Sequence, residues 1–174
     1  MHLKQQNYRQ SPWKNGQGIT SEIDIFPDGA TVADANFLWR LSTARIAASG
    51  PFSRFSGYDR FLTVLSSKKI RLRFEKDAQE KVLAEGEVIQ FSGDEEVSCV
   101  LDSDVVMDLG LIYRRDLVKA QFKILEIKST PFEFQNTSRQ AFVFQGDTWS
   151  FGPGKIALPN FEAGTKIALI TLDW

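Results

Sequence analysis

FLWRLSTARIAASGPFSRFSGYDRFLTVL, residues 37–65, reads as two strands joined by a loop rich in Gly, Pro, Ser and aromatic side chains. In its first half Phe37, Trp39 and Leu41 alternate with Arg40, Ser42 and Ala44, the period of two that sends successive side chains to opposite faces of a strand. Its second half, Arg60 to Leu65, is apolar on both faces, as expected of a strand inside a sandwich or barrel. Arg40, Ser42, Arg45, Arg54, Asp59 and Arg60 are thereby set among aromatic and aliphatic neighbours. Charged groups in such surroundings need partners or water, so a ligand site is sought here first.

Upstream, Trp13-Lys14-Asn15-Gly16-Gln17-Gly18 precedes a strand in which Ile23 and Ile25 alternate with Glu22 and Asp24, and the glycines mark the turn entering it. A phosphate cradle is disfavoured, because a dinucleotide fingerprint leads into a helix and this segment alternates with period two. Downstream, Ile70, Leu72 and Phe74 alternate with Arg71, Arg73 and Glu75. The run KDAQEKVLAEGE is read as a loop entering the strand at Val88, since Gly86 interrupts any helix. Val105 to Arg114 forms a long strand whose second face carries an acid, a gap and a base, so that Asp108 and Gly110 are expected to border a cavity. Strand-length segments recur to the C-terminus, with no amphipathic helix of three turns. About a dozen short strands separated by turns predict an all-β sandwich or barrel. The segments FLTVL…GEVI and AFVFQ…GTKI also suggest a faint repeat, as in duplicated lobes.

Composition excludes several classes. With 21 basic and 22 acidic residues the net charge is -1, which offers nothing to hold a phosphate backbone, so no nucleic acid partner is expected. Cys99 is the only cysteine and lies in the apolar run VSCVL, where a buried small residue is expected. His2 is the only histidine, so no His-based triad, zinc site or two-histidine iron site can form; no metal and no cofactor are expected. The N-terminus lacks the apolar core of a signal peptide and no apolar run reaches membrane-span length, so a cytoplasmic chain with no membrane partner is expected. The carboxylate pairs Glu22/Asp24 and Asp102/Asp104, each read on one strand face, could hold a hard cation, although surface acids are the commoner outcome. Arg40, Arg45, Arg60, Arg114 and Arg115 point to a small anionic ligand, because guanidinium forks match carboxylates; the competing reading pairs them with Asp59, Asp108 and Asp116.

WKNGQG followed by TSEI, then FLWRLSTARI, GPFSRFSGYDR and MDLGLIYRR, resembles the HutD/Ves family of bacterial proteins through the first two thirds of the chain. The resemblance implies a cupin-type β-barrel in a two-lobed bicupin arrangement, here one unit over residues 1–174 with lobes of about 1–118 and 119–174 and strands exchanged between them. It further implies a regulatory role tied to histidine utilisation, sensing a metabolite such as formylglutamate, or a role in the stress response. Gln17 stands where the family tends to have Gly, and Gly110 where it tends to have Asn, and both departures bear on the ligand. The expectation is a metal-free cupin that binds a small-molecule ligand, formylglutamate or another carboxylate. Trp13 and Asn15 would close the mouth, Arg40 and Ser42 would contact the ligand, Arg60 and Arg114 would supply charge, and Asp108 would line the site. A metal-independent isomerase or lyase using Asp108 as base is the second reading. An interaction module, docking through the 51–58 loop or forming a homodimer through an edge strand, is the third.

Overall fold

A computed structural model describes residues 2–3, 8–13, 16, 18–66, 68–102, 105–128, 130–158 and 161–174. In chain order the strands are β1 (His2–Leu3), β2 (Arg9–Pro12), β3 (Gly18–Phe26), β4 (Trp39–Ile46), β5 (Gly50–Pro51), β6 (Tyr58–Val64), β7 (Lys69–Phe74), β8 (Gln79–Ala84) and β9 (Val88–Ser92). They continue with β10 (Val97–Val100), β11 (Val106–Arg114), β12 (Lys119–Glu126), β13 (Phe132–Asn136), β14 (Gln140–Gln145), β15 (Asp147–Phe151), β16 (Gly154–Leu158) and β17 (Lys166–Asp173). No helix occurs among the described residues, and so none is long and apolar enough to cross a membrane.

The chain divides into a larger unit, Tyr8–Leu117, and a smaller one built from Val118–Trp174 together with the N-terminal strand. The break thus falls between Leu117 and Val118, and β1 belongs to the sheet of the C-terminal unit through its pairing with β15.

The larger unit has two antiparallel sheets, ordered β2-β3-β4-β11-β6-β9 and β5-β10-β7-β8. Counting β4 as first and β11 as eighth, the strands run first-eighth-third-sixth in one sheet and second-seventh-fourth-fifth in the other. This is the jelly-roll order of cupins, and the fold is accordingly all-β and cupin-type. Ile46, Leu62, Val64 and Val106 from the first sheet pack with Ile70, Leu72, Leu83, Val97 and Cys99 from the second. The alternation of Ile70, Leu72 and Phe74 with charged residues is what lets β7 present one apolar face to this core and one wet face to solvent.

The smaller unit repeats the scheme in reduced form, with sheets β1-β15-β14-β17-β12 and β13-β16 over a core of Ile127, Val143, Ile156, Leu158, Phe161 and Ile167. The repeated sequence segments occupy matching places: β6 pairs antiparallel with β9 as β14 pairs with β17.

Two segments differ from the sequence reading. KDAQEKVLAEGE contains β8, which pairs with β7 from Gln79↔Phe74 to Ala84↔Lys69. Its Gln, Glu and Lys have low strand propensity, and the strand exists because the neighbouring ladder supplies partners; as an edge, it suits exposed charge. The polar arm likewise contains β2, paired with β3.

The loop between β5 and β6 is clamped from below. The Phe55 N–H donates to Gly93 O at 2.8 Å and the Gly93 N–H to Tyr58 O at 2.8 Å. Arg115 adds hydrogen bonds from Nη2 to Tyr58 O (2.6 Å) and Asp94 (2.6 Å), with Nε 3.1 Å from Asp59. A Cβ at Gly93 would stand 2.5 Å from Phe55 O and 2.9 Å from Tyr58 O, both backbone atoms that cannot rotate away. Gly93→Ala is therefore expected to destabilise the protein by about 1–3 kcal/mol, read as a lower urea midpoint at unchanged slope.

Candidate functional site

In an antiparallel sheet, residues that pair directly share a face, so the register of β3, β4, β11, β6 and β9 determines which side chains meet. Four rows run across the inner face of this sheet. Ile46 pairs with Val106, Ala44 with Asp108, Ser42 with Gly110 and Arg40 with Ile112; across β11 the last three continue to Val64, Leu62 and Arg60. The first row is part of the apolar core. From the second row onward the face lines a cavity of about 630 Å³, whose walls include Thr20, Glu22, Arg40, Ser42, Arg60, Asp108 and Gly110. Its rim is formed by Trp13 from the N-terminal arm, by residues 31–33, and by Phe52 and Phe55 from the clamped loop.

Glu22 lies on this face in regular alternation with Thr20, and a β-bulge directly after it turns Asp24 away. Glu22 pairs with Ser42, but the register shifts at the next residue and Asp24 pairs with Leu41. Ser42 and Leu41 point to opposite faces of β4, so Glu22 and Asp24 do too, and the pair read from the sequence as one cation-binding face does not exist. Asp24 instead accepts from its own neighbour, Ile25 N–H, at 2.9 Å. The second expected pair is also unavailable as read: Asp102 accepts from Arg71 at 2.6 Å, and Asp104 lies outside the described residues.

Within the cavity Arg40 Nε donates to Glu22 Oε2 at 2.8 Å, an ion pair with both side chains largely buried. Arg60 makes no ion pair among the described residues. Its Nη1 donates to Ser53 O at 3.2 Å, and its guanidinium carbon lies 4.9, 5.8 and 5.2 Å from the ring centres of Phe52, Phe55 and Phe91. Those rings attract the cation through their faces but do not neutralise it. Burial pushes the Arg60 guanidinium down to about 10, with Asp108 acting to raise it and Arg40 to lower it, so it stays charged at neutral pH.

Asp108 sits where the closed core gives way to the cavity, and only 5% of it is exposed. One oxygen, Oδ1, accepts from Ala44 N–H at 2.9 Å. Burial pushes its carboxyl up to about 7, against the pull of Arg60 and of the Ala44 N–H. Gly110, one row along, leaves room: a Cβ there would stand 3.7 Å from both Leu62 Cδ1 and Phe61 O, ordinary contact. Ser42 is buried, and its hydroxyl has no hydrogen-bond partner among the described residues.

Of the expected site residues, Trp13, Arg40, Ser42, Arg60 and Asp108 line this one cavity. Trp13 is held by its Nε1 donating to Thr20 Oγ1 at 2.8 Å, and its ring closes on Gly18, where a Cβ would come within 2.7 Å of it. Asn15 and Gln17 lie outside the described residues. Arg114 lies off the cavity: beyond the last lining row of β11, it makes a two-pronged pair with Asp116 (3.0 and 2.8 Å) and covers the Tyr58 ring at 5.7 Å. Its charge is spent locally. Thr20, Glu22, Phe52 and Phe55 are lining residues that the sequence reading did not assign to the ligand. The position of Phe52 and Phe55 two and five residues beyond the Gly50 turn was the available signal for the last two.

The chain matches the HutD family over residues 5–163. It is 39% identical over 121 residues to an uncharacterized 21.2 kDa protein in the hutC 3′ region of Pseudomonas putida, covering 70% of this chain and 62% of that relative, which is less than two thirds of its length. It is 33% identical over 176 residues to Protein Ves of Escherichia fergusonii, covering 93% and 88%. Among solved structures, a conserved protein of unknown function from Pseudomonas aeruginosa superposes with a TM-score of 0.86 at 29% identity, covering 100% of this chain and 98% of that one. HutD from Pseudomonas fluorescens, solved in a formate condition, superposes with a TM-score of 0.78 at 28% identity, covering 99% and 97%.

The Asp108 carboxyl has a stability signature. Unfolded, it releases its proton near 3.8, whereas folded it holds it up to about 7. The folded state therefore binds the extra proton between these values, and its stability falls as pH rises through about 7 and then levels off. Asp108→Asn, which keeps an acceptor for Ala44, is expected to change stability little at about pH 4 and to raise it by on the order of a few kcal/mol at about pH 8. Urea unfolding across this range checks the slope.

Proposed function

Because the chain belongs to the HutD family and three of its arginines, Arg9, Arg40 and Arg60, border one cavity, we propose that it binds a small anionic metabolite there, with a regulatory or metabolite-buffering role in histidine utilisation or the stress response. The observation that carries this reading is Arg60. A half-buried guanidinium packed against three aromatic rings, with no carboxylate partner among the described residues, carries a desolvation cost, and an incoming carboxylate supplies the missing charge and planar acceptor. Arg40 supports the same reading. Only its Nε is engaged, by Glu22, so both terminal nitrogens are left to donate. Ser42 adds a hydroxyl between these two arginines and Asp108. Trp13, Phe52 and Phe55 offer apolar cover that strengthens charge-assisted hydrogen bonds by excluding water. The volume is on the scale of ordinary metabolite pockets, roughly 300–1,000 Å³. Formylglutamate or another carboxylate of similar size suits these groups.

A second reading has one observation in its favour. A cavity-lining carboxyl raised to about 7 is suited to act as a general base, as a metal-independent isomerase or lyase would need. Its signature is turnover lost in Asp108→Asn while ligand binding survives.

The binding reading is tested by thermal shift against formylglutamate, urocanate and glutamate. At a hundredfold excess over the dissociation constant the ligand adds about 2.7 kcal/mol of stability. Arg60→Gln is expected to abolish the shift and Arg114→Ala to preserve it. A panel without any shift, or a shift indifferent to Arg60→Gln, overturns the proposal.

A further inference from the structure

Building on the reading of this cavity as an anion site, we infer that its ligand is bifunctional: besides the carboxylate taken by Arg60 it carries an N–H or O–H donor that Asp108 accepts. Asp108 is then the specificity-determining residue, and the site discriminates against plain dicarboxylates.

The charges bordering the cavity floor lead to this. Arg40 and Glu22 neutralise each other as an ion pair at 2.8 Å. What remains in the lining is the exposed Arg9 at the outer edge, on β2, and, on the inner face, one cation, Arg60, and one acid, Asp108, which make no ion pair with each other among the described residues. Their rows on β11, at Ile112 and Asp108, lie four residues apart, with Gly110 midway; at the strand rise this is about 13 Å between backbones, which the long Arg60 side chain shortens. The intervening row, Ser42-Gly110-Leu62, is the one with room, because Gly110 contributes no side chain and Ser42 contributes an unused hydroxyl. A ligand body therefore spans Gly110 with an anion at one end. At its other end stands Asp108, whose Oδ1 is occupied by Ala44 N–H and whose Oδ2 has no hydrogen-bond partner among the described residues. An ionised acid in that position repels a second carboxylate and is satisfied by a donor, and such unpaired buried groups discriminate strongly between near-isosteric ligands.

The charged and titratable groups around Asp108 leave this assignment intact. Arg60 on β6 supplies the positive field that pulls its carboxyl down, Arg40 on β4 is committed to Glu22 on β3, Arg9 on β2 is exposed, and the Cys99 thiol on β10 is pushed up to about 12 by burial and by Asp108 itself, so it stays neutral.

The test is isothermal titration of the full chain with valerate, glutarate and glutaramate, a matched set carrying one carboxylate, two carboxylates, and a carboxylate with an amide. At about pH 8, glutaramate is expected to bind roughly tenfold or more tighter than either of the others, and Asp108→Asn to reduce that preference over glutarate to within about threefold. The wild-type protein supplies a second readout that needs no variant. As pH falls below about 7 Asp108 gains a proton, becomes a donor, and the preference for glutaramate over glutarate shrinks. Equal binding of all three, or a preference unmoved by both Asp108→Asn and pH, overturns this inference and leaves the anion site standing. Absence of binding by all three overturns this inference, and the thermal shift with formylglutamate, urocanate and glutamate then decides the anion site separately.

Discussion

The placement of β11 between β4 and β6 governs everything else in the larger unit. Its alternating side chains divide into Leu109, Leu111 and Tyr113 on one face and Asp108, Gly110 and Ile112 on the other, and both faces are largely buried. A slip of one residue would exchange them, putting Leu109 and Leu111 into the cavity and a carboxylate into apolar surroundings. The apolar set makes such a slip expensive, so the polar set is positioned by residues that never touch the cavity. The same register places Arg40 and Arg60 in one row, facing each other across Ile112.

Along that inner face the sandwich changes character. At one end Ile46, Val64 and Val106 close against the second sheet, and at the other the lining becomes charged. Asp108 and Arg60 both pay for lost hydration, visible in a carboxyl raised to about 7 and a guanidinium lowered to about 10. Packing for stability alone would have placed apolar side chains there, since replacing buried charge by well-packed hydrophobic residues is often neutral or favourable. Stability and binding thus pull in opposite directions at this point of the fold, and the clamped loop that brings Phe52 and Phe55 over Arg60 is what makes the compromise tolerable.

Six polar residues of the 37–65 stretch looked equivalent in sequence, and they have three fates. Arg40, Ser42 and Arg60 line the cavity; Arg45 and Arg54 are exposed, Arg54 meeting Glu96 at 3.1 Å; Asp59 pairs with Arg115 to brace the loop. The pairing reading of the arginines therefore holds for Arg114, with Asp116, and for Arg115, with Asp59, whereas Arg40 and Arg60 line the cavity. Strand parity separates Arg40 from Arg45, but it cannot separate Arg60 from Arg114, because both lie on inner-facing positions and only the distance along the sheet puts one over the cavity and the other beside Asp116. Glu22 was misassigned with Asp24 for a related reason: a single-residue bulge inverts the parity, and nothing in GITSEIDIF announces it.

Alternation of apolar and polar residues, turn glycines and the lack of any helical period were enough to establish an all-β chain, its long strand with Asp108 and Gly110 on one face, and the repeat echoed by the β6–β9 and β14–β17 pairings. These are local properties, written into every second residue by the geometry of an extended backbone. The charge balance between distant strands was decided only in three dimensions. Arg40 meets Glu22 and Arg60 is left without a carboxylate because of a register shift, a bulge and a loop clamped by Gly93 and Arg115, each a pairing between segments far apart in the chain. A sequence specifies which faces want burial; only the assembled sheets determine which charges share the space that burial leaves open.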